Sequence, residues 1–178
     1  KNKNKISLII FSPPYMNCFD YTEVYKIELW FGDFIKEYSE LKTLRSNSIR
    51  SHLNTNLYIN EEKIDKNLLK IVNVIKKQKL WSKKIPLMIL GFFDDMKKTL
   101  EELYKLLKKN GHCIIVVGNS AYGNIAIPTD LILANIALNI GFKKCNIEVA
   151  RHLGTSSQQY KKVKFKKLLR ESVIILTK

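Results

Sequence analysis

Ile6 to Tyr15 reads ISLIIFSPPY, a nearly continuous apolar run closed by Ser12-Pro13-Pro14. A run of this length bounded by turn residues predicts a buried strand of a parallel sheet, covered on both faces. Two successive prolines hold the backbone extended and remove two N–H donors. A stiff turn results, offering the Ser12 hydroxyl and the carbonyls of Ser12 and Pro13 as acceptors, with the ring of Tyr15 beside them. In open α/β sheets ligands collect outside the carboxyl ends of strands, which is where this turn falls. A flat ring with an exocyclic amino group fits such a turn. Its two N–H donors meet the acceptors while the ring stacks on Tyr15, an interaction worth ~1–3 kcal/mol for bases on aromatic side chains. The competing reading is that the prolines end the strand and Tyr15 packs on the core.

Beyond the turn the hydrophobic period changes. Val24, Ile27, Phe31, Phe34, Tyr38 and Leu41 recur at spacings of three and four, predicting one face of a long amphipathic helix capped by Asp20 or Thr22. Arg45 to Asn60 is polar and rich in Ser and Asn, predicting a long loop or a frayed helix. Ile64, Leu68, Ile71, Val72 and Ile75 predict a second helix ending in a lysine cluster. Met96, Leu100, Leu103 and Leu107 predict a third, stopped at Asn110-Gly111. Cys113 to Val117 reads as a second buried strand. Pro128 and Asp130 open a helix running to Ile140, with Gly141 at its end. Lys143–Ala150 and Ser172–Leu176 read as strands separated by a basic loop. The order is an α/β pattern finishing in a hairpin.

Composition narrows the classes. The 178 residues suit one domain, and 46% hydrophobic against 26% charged residues permits a packed core. Basic residues outnumber acidic ones 31 to 16, a formal charge of +15 that points to a polyanionic partner, nucleic acid before membrane headgroups. Only four of the basic residues are Arg, and the abundance of Lys, Asn and Ile is also what AT-rich coding produces. Cys18, Cys113 and Cys145 are odd in number and unpaired in spacing, which suits a reduced, cytoplasmic protein. The three histidines stand apart from other ligands, so no metal site is expected. No apolar run approaches the ~18 residues of a membrane span. The chain starts at Lys1 and is expected to be a piece of something longer.

The strand followed by SPPY, then Asn17, Asp20-Tyr21 and KIELWFGDF, resembles the catalytic block of the amino-group DNA methyltransferases. That family uses (Asp/Asn/Ser)-Pro-Pro-(Tyr/Phe/Trp) to methylate N4 of cytosine or N6 of adenine. GHCIIVVGNS, the helix entry Tyr122 to Asp130 and LRESVIIL are similar to its later blocks, so the resemblance runs from Ile6 to Leu176. It implies a Rossmann-like S-adenosylmethionine-dependent methyltransferase fold with DNA as partner and S-adenosylmethionine as cofactor. Ser12, Pro13, Pro14 and Tyr15 would form the catalytic turn, receiving a base flipped out of the duplex. Hydrogen bonds from the amino group to Ser12 and Pro13 would favour a pyramidal nitrogen, so that catalysis rests on positioning and electrostatics. Serine at the first position favours N4 of cytosine. Ser12, Asn17 and Asp20 would border the cofactor.

The chain departs from the family in one respect. The family's cofactor half carries a Gly-rich loop after a first strand, and no GxG occurs here. Residues 1–178 therefore read as the catalytic and target-side portion of a methyltransferase domain, a partial fold running from the catalytic strand onward and ending in a β-hairpin. The rest is expected in a missing N-terminal cofactor-binding segment or a complementary chain. A sheet starting at the catalytic strand is expected to expose an apolar edge and face. Contacts to nucleic acid are expected from Arg45 and Arg50 in their polar loop, and from Lys161, Lys162 and Lys164 in the basic stretch TSSQQYKKVKFKK. Asn119 either contacts the base or forms the strand-to-helix turn. Two other classes fit the same residues: an RNA amino-methyltransferase, and an inactive basic nucleic-acid-binding fragment.

Overall fold

The computed structural model describes residues 6–59, 64–154 and 165–178. Strand β1 (Ile6–Phe11) leads through three short helices, α1 (Tyr21–Val24), α2 (Lys26–Phe31) and α3 (Tyr38–Ser46), into α4 (Lys66–Lys76) and the long α5 (Ile85–Leu106). Strand β2 (Leu107–Gly118), the hairpin of β3 (Ser120–Tyr122) and β4 (Ile125–Ile127), helix α6 (Thr129–Ile140), β5 (Lys144–His152) and β6 (Arg170–Thr177) complete the chain. The main sheet has the order β1-β2-β6-β5. β1 runs parallel to β2, and β6 lies antiparallel between β2 and β5. The mixed α/β class and the closing hairpin agree with the sequence.

One face of the sheet builds the core. Cys113, Ile115 and Val117 of β2 and Ile174 and Leu176 of β6 are fully buried, in one cluster with Val72 and Ile75 of α4, Ile89, Phe92 and Met96 of α5, and Leu133 and Ala137 of α6. Burial of Leu- or Phe-sized side chains contributes ~1.5–3 kcal/mol each, so this layer carries most of the stability. Local signals hold the helices in place. Asp65 caps α4 by accepting from Asn67 and Leu68 N–H, and Pro86 occupies the first turn of α5, where its missing N–H costs nothing.

The other face is different. Strand register places Ile10, Ile114 and Ile175 in one row and Val116 beside Val173 in the next. These four residues of β2 and β6 are only partly buried, while on the edge strand Leu8 is 51% and Ile10 63% exposed. The predicted strand is thus correct in its bounds but covered on one face rather than both. The expectation of an exposed apolar edge and face holds for the described residues.

The long amphipathic helix expected from Tyr21 to Leu41 is three helices instead. Asp33 adopts the left-handed conformation (φ 57°), and Asp33 and Phe34 N–H donate back to Trp30 and Leu29 carbonyls, which terminates α2. Its apolar stripe does not form the core: Ile27, Phe34 and Tyr38 are exposed, Phe31 is 84% exposed, and only Leu41 is buried. Periodicity identifies a helical face correctly but cannot say what it faces. Tyr122 to Asp130, expected as a helix entry, is largely hairpin. Gly123 and Asn124 both have positive φ, the two-residue turn that suits the twist of an antiparallel pair.

Candidate active site

β1 delivers Ser12 to Tyr15 beyond its carboxyl end, and neighbouring strands fix the turn. The Ser12 hydroxyl donates to the Val116 carbonyl at 3.0 Å, tying the turn to β2. With its proton so engaged, the Ser12 oxygen keeps its lone pairs as acceptors. Downstream, Asn17 N–H donates to the Tyr15 carbonyl at 2.8 Å and the buried Tyr122 hydroxyl donates to the Met16 carbonyl at 3.1 Å.

Tyr15 is held from two sides. Its hydroxyl donates to Glu171 Oε1 on β6 at 2.6 Å, and Glu171 Oε2 accepts from Arg151 Nε on β5 at 2.7 Å. Burial raises the Tyr15 pKa, and the carboxylate beside the phenol raises it further, so Tyr15 is a neutral donor at physiological pH. The bonds from Tyr15 and Arg151 hold Glu171 below the usual carboxylate range. Under the ring lies Gly118, where a Cβ would stand 2.9 Å from two ring carbons. The glycine lets the aromatic ring approach the end of β2 closely. In the sequence Gly118 and Glu171 stand only as parts of GHCIIVVGNS and LRESVIIL, and Arg151 is not singled out. Pairing of Glu171 with Tyr15 depends on β6 inserting beside β2, which no local pattern announces.

A cavity of about 330 Å³ opens beside this ring, lined by Tyr15, Asn17, residues 119–122, Leu153, Gly154, Leu169 and Trp81. A larger one of about 510 Å³ lies between α4, α5 and α6 and shares no residue with the turn. Of these two cavities, only the smaller has Tyr15 in its wall.

Asn119 borders the cavity but works as a staple. Its amide nitrogen donates to Asp130 Oδ1 and the Leu168 carbonyl, both at 2.8 Å, and its side-chain oxygen accepts from Asp130 N–H at 2.9 Å. Of its two expected roles, the structure supports the turn. Asp130 is wholly buried and also accepts from Arg170 Nε and Ser172 Oγ at 2.8 Å each. Burial opposes its charge, but the donors from Asn119, Ser172 and Arg170 outweigh that and lower its pKa.

Asp20 and the two loop arginines, expected at cofactor and DNA, turn inward onto partners within the chain. Asp20 caps α1, accepting from Thr22 N–H, Thr22 Oγ1 and Glu23 N–H, while its second oxygen meets Asn54 Nδ2 at 2.9 Å and Arg45 Nε at 3.1 Å. Burial opposes ionisation of Asp20, but these partners prevail and lower its pKa. Arg45 also donates to Thr22 Oγ1 and Glu23 and is 11% exposed. Arg50 donates to Asp95, to Asp94 and to the Tyr58 carbonyl and is 13% exposed. Bidentate geometry that suits guanine or phosphate suits internal carboxylates equally well, and two adjacent aspartates claim it here. Lys161, Lys162 and Lys164 lie outside the described residues.

Among the described residues, the three side chains expected beside S-adenosylmethionine, Ser12, Asn17 and Asp20, each have a partner within the chain. Asp20 is consumed by its cap and ion pair, Asn17 accepts from Phe19 N–H, and the sequence has no GxG loop to receive the donor's methionine end. No group of three or more metal-ligating side chains occurs among the described residues. No helix among them is long and apolar enough to cross a membrane.

No protein-family model matches the chain. By sequence it is similar to the type II methyltransferase M.AvaI of Nostoc sp. (strain PCC 7120), 31% identical over 166 residues that cover 85% of this chain and 34% of the relative. It is also similar to the type II methyltransferase M.BsoBI of Geobacillus stearothermophilus, 29% identical across 99% of this chain and 39% of the relative. The chain thus spans little more than a third of the length of the curated relatives it matches. In structure it is similar to a Thermus thermophilus protein provisionally described as a DNA modification methylase, with a TM-score of 0.46 and 14% identity over 48% of that protein. The sequence relatives are type II methyltransferases, in keeping with the methyltransferase class that the motif resemblance implied.

Proposed function

We propose that this chain is the catalytic and target-side portion of a site-specific DNA methyltransferase. In this reading the enzyme acts in the cytoplasm and moves a methyl group from S-adenosylmethionine to the exocyclic amino group of a flipped base, with N4 of cytosine the favoured target. The observation that carries it is the turn itself. A strand end presents Ser12 and Pro13 acceptors next to a Tyr15 ring that Gly118 and Glu171 hold over a cavity. The chain's own residues bind and orient the base. Ser12 Oγ and the Pro13 carbonyl accept from the amino group, and Tyr15 stacks on the ring.

The methyl donor is assigned to a cofactor-binding segment beyond these residues or to a complementary chain. That reading is supported by the absence of a GxG loop, by the half-covered sheet and by the greater length of the relatives. Leu8 and Ile10, on the free edge strand, are where such a segment would seat. Lys161, Lys162 and Lys164 are assigned to the DNA backbone, a role that salt-dependent binding reads directly.

The test is nucleoside mass analysis of DNA from cells expressing the full-length gene. N4-methylcytosine is the expected product. N6-methyladenine would move the target to adenine, and the absence of both would refute the methyltransferase reading.

A further inference from the structure

Trp81 is 70% exposed although it is the largest kind of side chain, and it lines the same cavity as Tyr15. It lies between α4 and α5 in the stretch KKQKLWSKK, residues 76–84, where five lysines surround one tryptophan. Lys77, Lys79, Lys83 and Lys84 are exposed. The stretch is packed in place rather than loose. Gly123, at the tip of the β3–β4 hairpin, sits so close that a Cβ there would come within 2.4 Å of Gln78 Cβ and 3.2 Å of Leu80 Cδ2. The same hairpin supplies Ser120, Ala121 and Tyr122 to the cavity, so Trp81 and the far wall are carried by elements in direct contact.

An exposed indole on a polar, basic segment is anomalous for a core residue and ordinary for a stacking residue. Single-strand binding sites pair an aromatic platform, tolerant of any base, with cations that follow the backbone. We propose that Trp81 is a second aromatic wall of the Tyr15 cavity, stacking on the extruded base, and that the lysines around it receive the neighbouring phosphates. The proposal rests on the base-binding reading of the turn and adds the residue that closes the pocket from the loop side.

Trp81 and Trp30 are the chain's two tryptophans, so a Trp30→Phe chain reports Trp81 fluorescence alone. Titrated with a short single-stranded oligonucleotide, its emission is expected to be quenched, and an abasic oligomer of equal length should leave it unchanged. Trp81→Ala is expected to weaken binding about 5- to 150-fold, with Trp81→Phe retaining most of it. If Tyr15→Ala weakens binding while Trp81→Ala does not and no quenching occurs, the proposal fails and the base-binding turn stands. If neither variant changes binding, the turn is no base site and the proposal falls with it. Quenching that persists unchanged in Tyr15→Ala with full affinity would place Trp81 at a separate site and also overturn the proposal.

Discussion

Asp130→Asn tests the polar staple behind the cavity. The substitution keeps the shape and removes the charge. Asp130 receives four donors: Asn119 Nδ2 and Leu131 N–H on one oxygen, Arg170 Nε and Ser172 Oγ on the other. An amide has only one oxygen, so its NH2 confronts two donors if turned to Asn119 and Leu131, and Arg170 Nε if turned the other way, where the Ser172 hydroxyl can accept instead. At ~1.5–3 kcal/mol each, losing one or two bonds to a charged acceptor comes to ~1.5–6 kcal/mol. Breaking a buried ion pair by removing one partner gives a similar ~3–5 kcal/mol. Arg170 is 20% exposed and regains some hydration, which favours the lower end, ~3 kcal/mol. Against a total stability of ~5–15 kcal/mol that is a large fraction. With an m-value of ~2 kcal/mol per molar urea, the unfolding midpoint should fall by ~1.5 M.

The effect also has a pH signature. The folded pKa of Asp130 is depressed, so its contribution is fully present above the unfolded carboxylate value of ~3.9 and is lost as pH falls through the lower folded value. Urea curves of the wild-type chain and the variant should therefore lie apart at pH 7 and converge below about pH 4. A difference at pH 7 within ~0.5 kcal/mol, the range of ordinary surface substitutions, would refute the staple.

Gly118→Ala places a methyl 2.9 Å from the Tyr15 ring, so methylation by the full-length enzyme should fall well over tenfold with the circular-dichroism melt little changed; undiminished activity would mean the ring needs no fixed seat. Arg50→Ala leaves Asp94 and Asp95 without their shared partner. It should cost ~3 kcal/mol in urea unfolding while the salt slope of DNA binding stays as it was, and a reduced slope would restore a DNA-facing role. Ile10→Lys puts a charge on the half-covered sheet face. In sedimentation the isolated chain should self-associate less, at nearly unchanged stability, whereas the full-length enzyme should be destabilised; equal effects in both would mean nothing covers that face.

Local chemistry makes much of this protein legible from its residues alone. The bounds of β1, the α6 helix ending at Gly141 and the closing hairpin follow from periodicity and turn preference, which act over a few residues. The Ser12–Tyr15 turn is readable because proline geometry is intrinsic to the chain. What each face meets is decided by tertiary structure. Val24, Ile27 and Phe31 have the spacing of a core stripe yet lie exposed, since period fixes direction and not neighbours. Arg45 and Arg50 read as DNA contacts because Ser and Asn flank them, but their carboxylate partners come from distant positions: Asp20, Asp94 and Asp95. Tyr15 finds Glu171 across 156 residues because β6 lies beside β2. ISLIIFSPPY determined by itself that a strand would end in a rigid turn of acceptors and one aromatic ring. Only the folded sheet decided how that ring is aimed, because its hydrogen-bond partner and its glycine seat come from two other strands.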